Sequence, residues 1–220
     1  MKPLAVGLLL AGRRVAVVGA GPVALAKVGR LLAAEARVVV IAPKAVPALA
    51  AAAASGSVEW REKPFAAEDL AGMWLCLTAT GLPDVDAAVF AACEARRIPC
   101  NAADVPESCH FFLLAQVSDG PLTLAVGTAG TAPGLARRLA EEARAAWPPD
   151  AGHLATRYAQ IRRWLQRSQP GPGHAALRAK VLRWLAAEPW DVLRQPLPTL
   201  RAAVQARWRD MATEAPSSES

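Results

Sequence analysis

The chain has 220 residues and carries 25 Lys and Arg against 19 Asp and Glu, a formal charge of +6. That length suffices for one large domain or two modest ones with a real core. The composition is 53% hydrophobic, largely through alanine, yet no apolar run reaches the ~18–20 residues of a membrane span. Residues 4–11 are too short to span, follow only Lys2, and run into a strand, so they do not read as a signal peptide and a cytoplasmic location is expected. The four cysteines, Cys76, Cys93, Cys100 and Cys109, form no CxxC pair and have no histidine at zinc-finger spacing. No metal-ligand set is read from them. Structural roles are expected for all four, with Cys76 acting as a small hydrophobe in a buried strand.

In chain order, residues 13–18 form an apolar strand that runs into Gly19-x-Gly21-x-x-Ala24. Each part of that turn has a physical job. Gly19 permits the tight exit from the strand, and Gly21 lets backbone approach a pyrophosphate with no Cβ in the way. Ala24 is small enough for the new helix to pack on the sheet. A helix over residues 22–34, opening at Pro22 and Val23, aims its N-terminal amides and positive dipole end at the phosphates. Further strands are expected near 36–41, 57–61, 73–78 and 98–102, with helices near 45–54 and 82–96 and a short turn near 66–71. This alternation predicts an α/β fold, a Rossmann-type, doubly wound parallel sheet whose ligands lie beyond the carboxyl ends of its strands. Three tips then matter, at residues 19–23, 42–44 and 78–81.

The second strand ends in Ala42-Pro43-Lys44, with no acid to grip ribose hydroxyls. Two readings follow: Lys44 receives a 2′-phosphate of NADP, or backbone groups at residues 42–44 hold the ribose. Thr78 and Thr80, at the fourth tip, either close over the nicotinamide side or cap the next helix. Asn101 and Asp104 flank the loop that leaves the last parallel strand. Asp104 either caps a turn before Pro106 or takes a proton while a cofactor takes hydride.

Beyond Asn101 the rhythm changes. Residues 111–117 and 121–126 flank Ser118-Asp-Gly120 and read as a hairpin. Thr128, Gly130 and Thr131 lie in a loop ahead of a helix over 134–147, with Arg137 one turn in. That loop is an anion nest for carboxylate or phosphate, or a helix cap provided by Thr131. Helices are expected over 152–167, 174–187 and 197–212, with residues 215–220 disordered. The chain is accordingly divided into a nucleotide-binding domain (1–108), a small α+β dimerisation and active-site segment (109–147) and a helical C-terminal domain (148–214).

Five motifs in order resemble the precorrin-2 dehydrogenase / sirohydrochlorin ferrochelatase family of siroheme biosynthesis, over roughly residues 4–215. They are Val17-Val18-Gly19-Ala-Gly21-Pro-Val23-Ala24-x-x-Lys27 with the acid-free Ile41-Ala42-Pro43, Leu77-Thr-Ala-Thr80, and Cys100-Asn101-x-x-Asp104-x-Pro106. The last two are Gly120-Pro121-Leu122-Thr-x-Ala-Val126 and Gly127-Thr-Ala-Gly130-Thr-Ala-Pro133-x-Leu-Ala-Arg137-x-Leu139. The resemblance implies NAD as hydride acceptor, with backbone binding near Pro43 and Lys44. It implies precorrin-2, a tetrapyrrole bearing eight carboxylates, as substrate and sirohydrochlorin as product, with Asp104 as proton acceptor. It also implies a homodimer and, in some members, insertion of ferrous iron.

There are departures: the stretch after the fingerprint is thinned to Val23-Ala-Leu-Ala-Lys27, Ala115 replaces a frequent proline, and Thr128 a frequent serine. The chain stops where fused members continue into a methyltransferase domain, which implies precorrin-2 from a separate protein. Two other readings compete: a non-catalytic NAD(H) sensor, which has no need of Asp104 or the 127–131 nest, and a basic nucleic-acid binder, for which no reading motif exists. His110, close to Asp104, is a candidate for metal handling or an ordinary packed histidine.

Overall fold

The structure, a computed structural model, describes residues 3–102, 105 and 108–213. Five parallel strands, β1 (Arg14–Val18), β2 (Arg37–Ile41), β3 (Glu59–Arg61), β4 (Leu75–Thr78) and β5 (Cys100–Ala102), lie in the order β3-β2-β1-β4-β5. The winding reverses between β1 and β4, so a crevice opens at their carboxyl ends. Such a sheet is covered on both faces, which is why β1, β2 and β4 read as unbroken apolar runs. The crossover helices are α1 (Pro22–Ala33), α2 (Pro47–Ala54) and α3 (Pro83–Arg96). All three open on proline, whose missing N–H costs nothing in a first turn. Val15, Val17, Val38, Val40, Leu75 and Leu77 pack with Ala24, Val28 and Leu31 of α1 on one face. Ala16, Val18, Val39, Ile41, Cys76 and Cys100 pack with Val89 and Cys93 of α3 on the other.

The chain divides into two units, one of residues 1–114 with 127–133, the other of residues 115–126 with 134–220. In the second, β6 (Ala115–Asp119) and β7 (Leu122–Val126) form an antiparallel hairpin with Asp119 opposite Leu122. Its two-residue turn is Gly120-Pro121, and Gly120 at φ +54° takes the first central position that a type II′ turn gives to glycine. The helices are α4 (Pro133–Ala145), α5 (Ala151–Ser168), α6 (Ala175–Ala187), α7 (Trp190–Arg194) and α8 (Leu197–Thr213). Leu154, Ile161, Leu165, Val181, Leu185, Leu200 and Val204 form their core. Gly152 lies so close to the hairpin that an added Cβ would meet the Asp119 carboxylate at 2.4 Å. Asp119 accepts from the Gly152 amide (3.1 Å) and from Arg144 (2.9 Å), pinning hairpin to helices. No helix among the described residues is long and apolar enough to cross a membrane.

The structure differs from the sequence reading at residues 111–114, expected as strand. The strand begins only at Ala115. The His110 amide donates to the Cys100 carbonyl (2.8 Å), Asn101 donates to the Phe111 carbonyl, and Arg30 donates to the Leu114 carbonyl (2.7 Å). Phe111 and Leu113 thereby pack on the sheet core instead of continuing the hairpin. The short α7 has no counterpart in the sequence reading, and residues 215–220, expected to be disordered, lie outside the described residues.

Asp69 ties β3 to the 3₁₀ turn at Ala67–Leu70, accepting from the Ala66 amide (3.0 Å), Arg61 (3.1 Å) and Lys63 (2.8 Å). Burial alone would raise its pKa; the bonds from Lys63, Ala66 and Arg61 outweigh burial and hold it below the ordinary 3.8. A carboxylate depressed in this way contributes stability above the unfolded-state pKa and loses it as pH falls through the folded value. Asp69→Asn is expected to lower unfolding free energy by about 1–3 kcal/mol at pH 7. In urea melts the deficit should shrink below about pH 4.

Candidate cofactor and active site

Three strand tips bound the crevice, and each is fixed by contacts that the local sequence supplies. Gly19, at φ +102°, turns the chain out of β1; a Cβ there would lie 2.4 Å from the Ala79 carbonyl oxygen beyond β4. The β1 and β4 tips can therefore approach only across a glycine. At Gly21 the opposite holds, since a Cβ would meet nothing within 4 Å. Gly21 faces open space and is the N-cap of α1, with no side chain bonded to the helix end. The first-turn amides of Val23 and Ala24 have no acceptor within the helix. Pro22 and Val23 are exposed at that opening. Open space beside glycine, uncapped amides and the helix dipole suit a pyrophosphate, so the residues present fit a dinucleotide.

At the β2 tip Pro43 and Lys44 are both exposed. The Ala42 carbonyl accepts from the Trp60 indole (3.0 Å) and its amide donates to Arg61 (3.2 Å), so the groups of Ala42 are spent on β3.

At the β4 tip Thr78 is fully buried and its hydroxyl donates to Asp86 of α3. Thr80 donates to the same carboxylate oxygen (2.7 Å) and accepts from the Leu82 amide (3.0 Å), the N-cap residue of α3. Both hydroxyls thus serve the strand-to-helix turn. Asp86, itself buried, is a site-building residue that the sequence reading passed over. Its position in the first turn of a helix, next to a hydroxyl-rich tip, was the available signal.

β5 contributes Asn101, buried beside the crevice. Lys27 of α1 donates to Asn101 Oδ1 (2.9 Å) and to the Thr78 carbonyl (3.2 Å). Asn101 Nδ2 in turn donates to the Phe111 carbonyl (2.9 Å), which fixes the amide's orientation. One ammonium therefore joins the cofactor helix, the β4 tip and the edge strand. Lys27 stood in the fingerprint motif without an assigned role. Asp104, the candidate proton acceptor, and Pro106 lie outside the described residues.

His110 accepts the Cys100 amide on Nδ1 (2.9 Å), which places its proton on Nε2, directed at Glu94 (2.6 Å). Its ring stacks on Phe90. With both nitrogens engaged, His110 closes the sheet edge and has no lone pair left for a metal. Within the 127–133 loop, Thr131 Oγ donates to the Thr128 carbonyl (2.6 Å) and Thr128 Oγ accepts the Ala132 amide (3.0 Å). Ala129 and Gly130 both have left-handed φ, +51° and +83°, as the central pair of a turn closed by the Thr131 amide on the Thr128 carbonyl (3.0 Å), so the Thr131 and Ala132 amides of the expected anion nest are spent within the loop. Arg137 is exposed on α4.

Gly19→Ala forces a left-handed alanine onto a carbonyl and is expected to cost at least about 1–3 kcal/mol. Fluorescence titration should show dinucleotide affinity reduced by at least about tenfold. Lys27→Met strands two acceptors, and an unfolding free energy lower by about 1–3 kcal/mol is expected, read as a lower urea midpoint with unchanged m-value.

A family model described as "Putative NAD(P)-binding" matches residues 6–115. The siroheme biosynthesis protein met8 of Schizosaccharomyces pombe is 32% identical over 177 residues, 79% of this chain and 66% of that protein. Siroheme synthase 3 of Aeromonas hydrophila is 38% identical over 146 residues, 66% of this chain and 31% of that protein. The chain thus spans about two thirds of the first relative and about a third of the second. Among solved structures, SirC, precorrin-2 dehydrogenase, superposes with a TM-score of 0.74 over 94% of this chain and 100% of that one, at 21% identity, a likeness of fold. The match spans half the chain and the fingerprint it contains has the geometry for a dinucleotide: the chain belongs to the putative NAD(P)-binding family and is a relative of the siroheme synthases.

Proposed function

We propose that the chain is an NAD-dependent precorrin-2 dehydrogenase that releases sirohydrochlorin. The observation that carries this reading is the convergence of three things at one sheet edge. They are the open glycine turn at Gly21, the uncapped start of α1, and the Lys27–Asn101 bond that fixes the strand leading to Asp104. When bound, NAD supplies a two-electron acceptor for hydride. The chain's part is to hold the dinucleotide phosphates on the Val23 and Ala24 amides and to fix the reacting edge through Asn101. The oxidation also releases a proton, and Asp104 is the carboxylate the family motif assigns to accept it. Arg137, exposed on α4, is a cation suited to a carboxylate of a polyanionic substrate.

The preference for NAD over NADP follows the family resemblance; with the groups of Ala42 spent on β3, the backbone contacts to the ribose fall to Pro43 and Lys44. The functional unit is a homodimer: a two-stranded hairpin is marginal alone, and Leu135 and Leu139 stand exposed on α4.

Anaerobic assay with enzymatically made precorrin-2 tests the reading. NAD should give the sirohydrochlorin spectrum, and Asp104→Ala should lower kcat by about 10²–10⁴ while leaving dinucleotide affinity within twofold. Added ferrous iron reports whether the same protein completes siroheme. Tight nucleotide binding with no turnover on NAD or NADP would replace the enzyme with a sensor. Lys44→Ala is expected to keep its NAD affinity; a gain of NADP turnover in the wild type that this variant loses would overturn the backbone mode.

A further inference from the structure

Away from the crevice, three of the four thiols meet. Cys76 and Cys100 are register partners on the adjacent parallel strands β4 and β5, so their side chains leave the sheet on the same face. α3 packs on that face and brings Cys93 onto it, one turn after Val89. The three Sγ atoms all lie within 4.8 Å of one another, and all three residues are fully buried. Their sequence spacing, 17 and 7 residues, resembles no metal motif; parallel pairing and helix packing assemble the group. Cys109 is apart from it, its thiol bonded to the Ala102 and Val105 carbonyls.

The surroundings restrict what such a group can hold. Val18, Leu70, Met73, Val89 and Ile98 share its buried apolar cluster, and no carboxylate or imidazole joins the thiols among the described residues. The nearest imidazole, that of His110, has spent both nitrogens. Calcium and magnesium require oxygen ligands, and they are excluded by this donor set. Structural zinc takes four ligands, and catalytic zinc adds water to three; a dry apolar pocket supplies neither. Three sulfurs without a fourth donor suit a soft ion content with low coordination. About an ion with metal–sulfur bonds near 2.3 Å, sulfurs at the corners of a triangle stand roughly 4 Å apart. That separation is within the spread seen here, so only small side-chain rotations close the site.

We propose that Cys76, Cys93 and Cys100 form a trigonal site of one thiolate and two thiols for one cuprous ion, which staples α3 to the edge of the parallel sheet. Loading replaces one S–H proton with the metal, which leaves the apolar pocket with no net charge, and the two remaining thiols bind as neutral donors. No oxidation is involved. The site is one residue from Asn101 and two from Thr78, so it anchors the same two strands that carry the crevice tips.

The test uses the full chain, reduced and anaerobic, titrated with cuprous ion delivered as its acetonitrile complex. Expected is near-ultraviolet thiolate-to-copper absorption that saturates at one ion per chain and survives competition from a bidentate cuprous chelator. Cys93→Val keeps a side chain of similar volume on the helix. It should weaken affinity by more than the about 10–100-fold typical of losing an outer-shell partner. Cys109→Ala should leave affinity unchanged. Dinucleotide binding by Cys93→Val, read separately, establishes that the variant folds; if it does not, Cys76→Ala and Cys100→Ala replace it. A wild type with no saturable band, a band untouched by Cys93→Val, or one lost equally in Cys109→Ala would overturn the proposal. Each readout is independent of tetrapyrrole turnover.

Discussion

The backbone of Gly19 passes within a Cβ's width of the Ala79 carbonyl, and the architecture of the crevice follows from that closeness. At a switch point the connections after two parallel strands go to opposite faces of the sheet, and the loops separate unless something draws the tips together. Here the absence of a side chain allows the approach, and hydrogen bonds to Lys27 secure it from the other side. That ammonium lies in the helix that the Gly19 turn begins, and it reaches the Thr78 carbonyl and Asn101. The phosphate-binding helix and the strands on the far side of the switch point are therefore one construction. The half-buried ammonium is tolerated there because at least two oxygens replace part of its water.

The parallel half of the fold was legible because its physics is local. Apolar runs covered on both faces need no register to be recognised, and prolines at 22, 47 and 83 mark the helix starts to within a residue or two. The acid-free β2 tip was legible for the same reason. What could not be read were contacts between residues far apart in sequence. Lys27 meets Asn101 across 74 positions, and Asp86 draws Thr78 and Thr80 inward only because α3 begins where β4 ends. The thiol cluster is the extreme case, since strand register and helix rotation must both be known before three sulfurs coincide. Residues 111–114 were misread as strand because their apolar pattern fits one; side-chain bonds from Asn101 and Arg30 claim their carbonyls instead.

The basic charge of the C-terminal half also changes meaning once its partners are known. From sequence, its arginines suit a polyanionic partner or substrate and equally suit solvated helix faces paired with nearby acids. In the folded unit many are structural: Arg144 holds Asp119, Arg157 caps the end of α7 through the Leu193 and Gln195 carbonyls, and Arg194 binds Asp150 and Asp191. Arg201 lies over the Trp164 ring. An arginine that satisfies a helix end or spans two helices has its fork of donors committed, so it adds to the long-range field without offering a bidentate contact. Net charge thus overstates the direct contacts available to carboxylates. Arg137, exposed on α4, differs from those arginines in making no such internal contact among the described residues. For the proposed polycarboxylate substrate, direct recognition would rest on a few exposed donors within a favourable field, while the committed arginines hold the helices of their own unit in place.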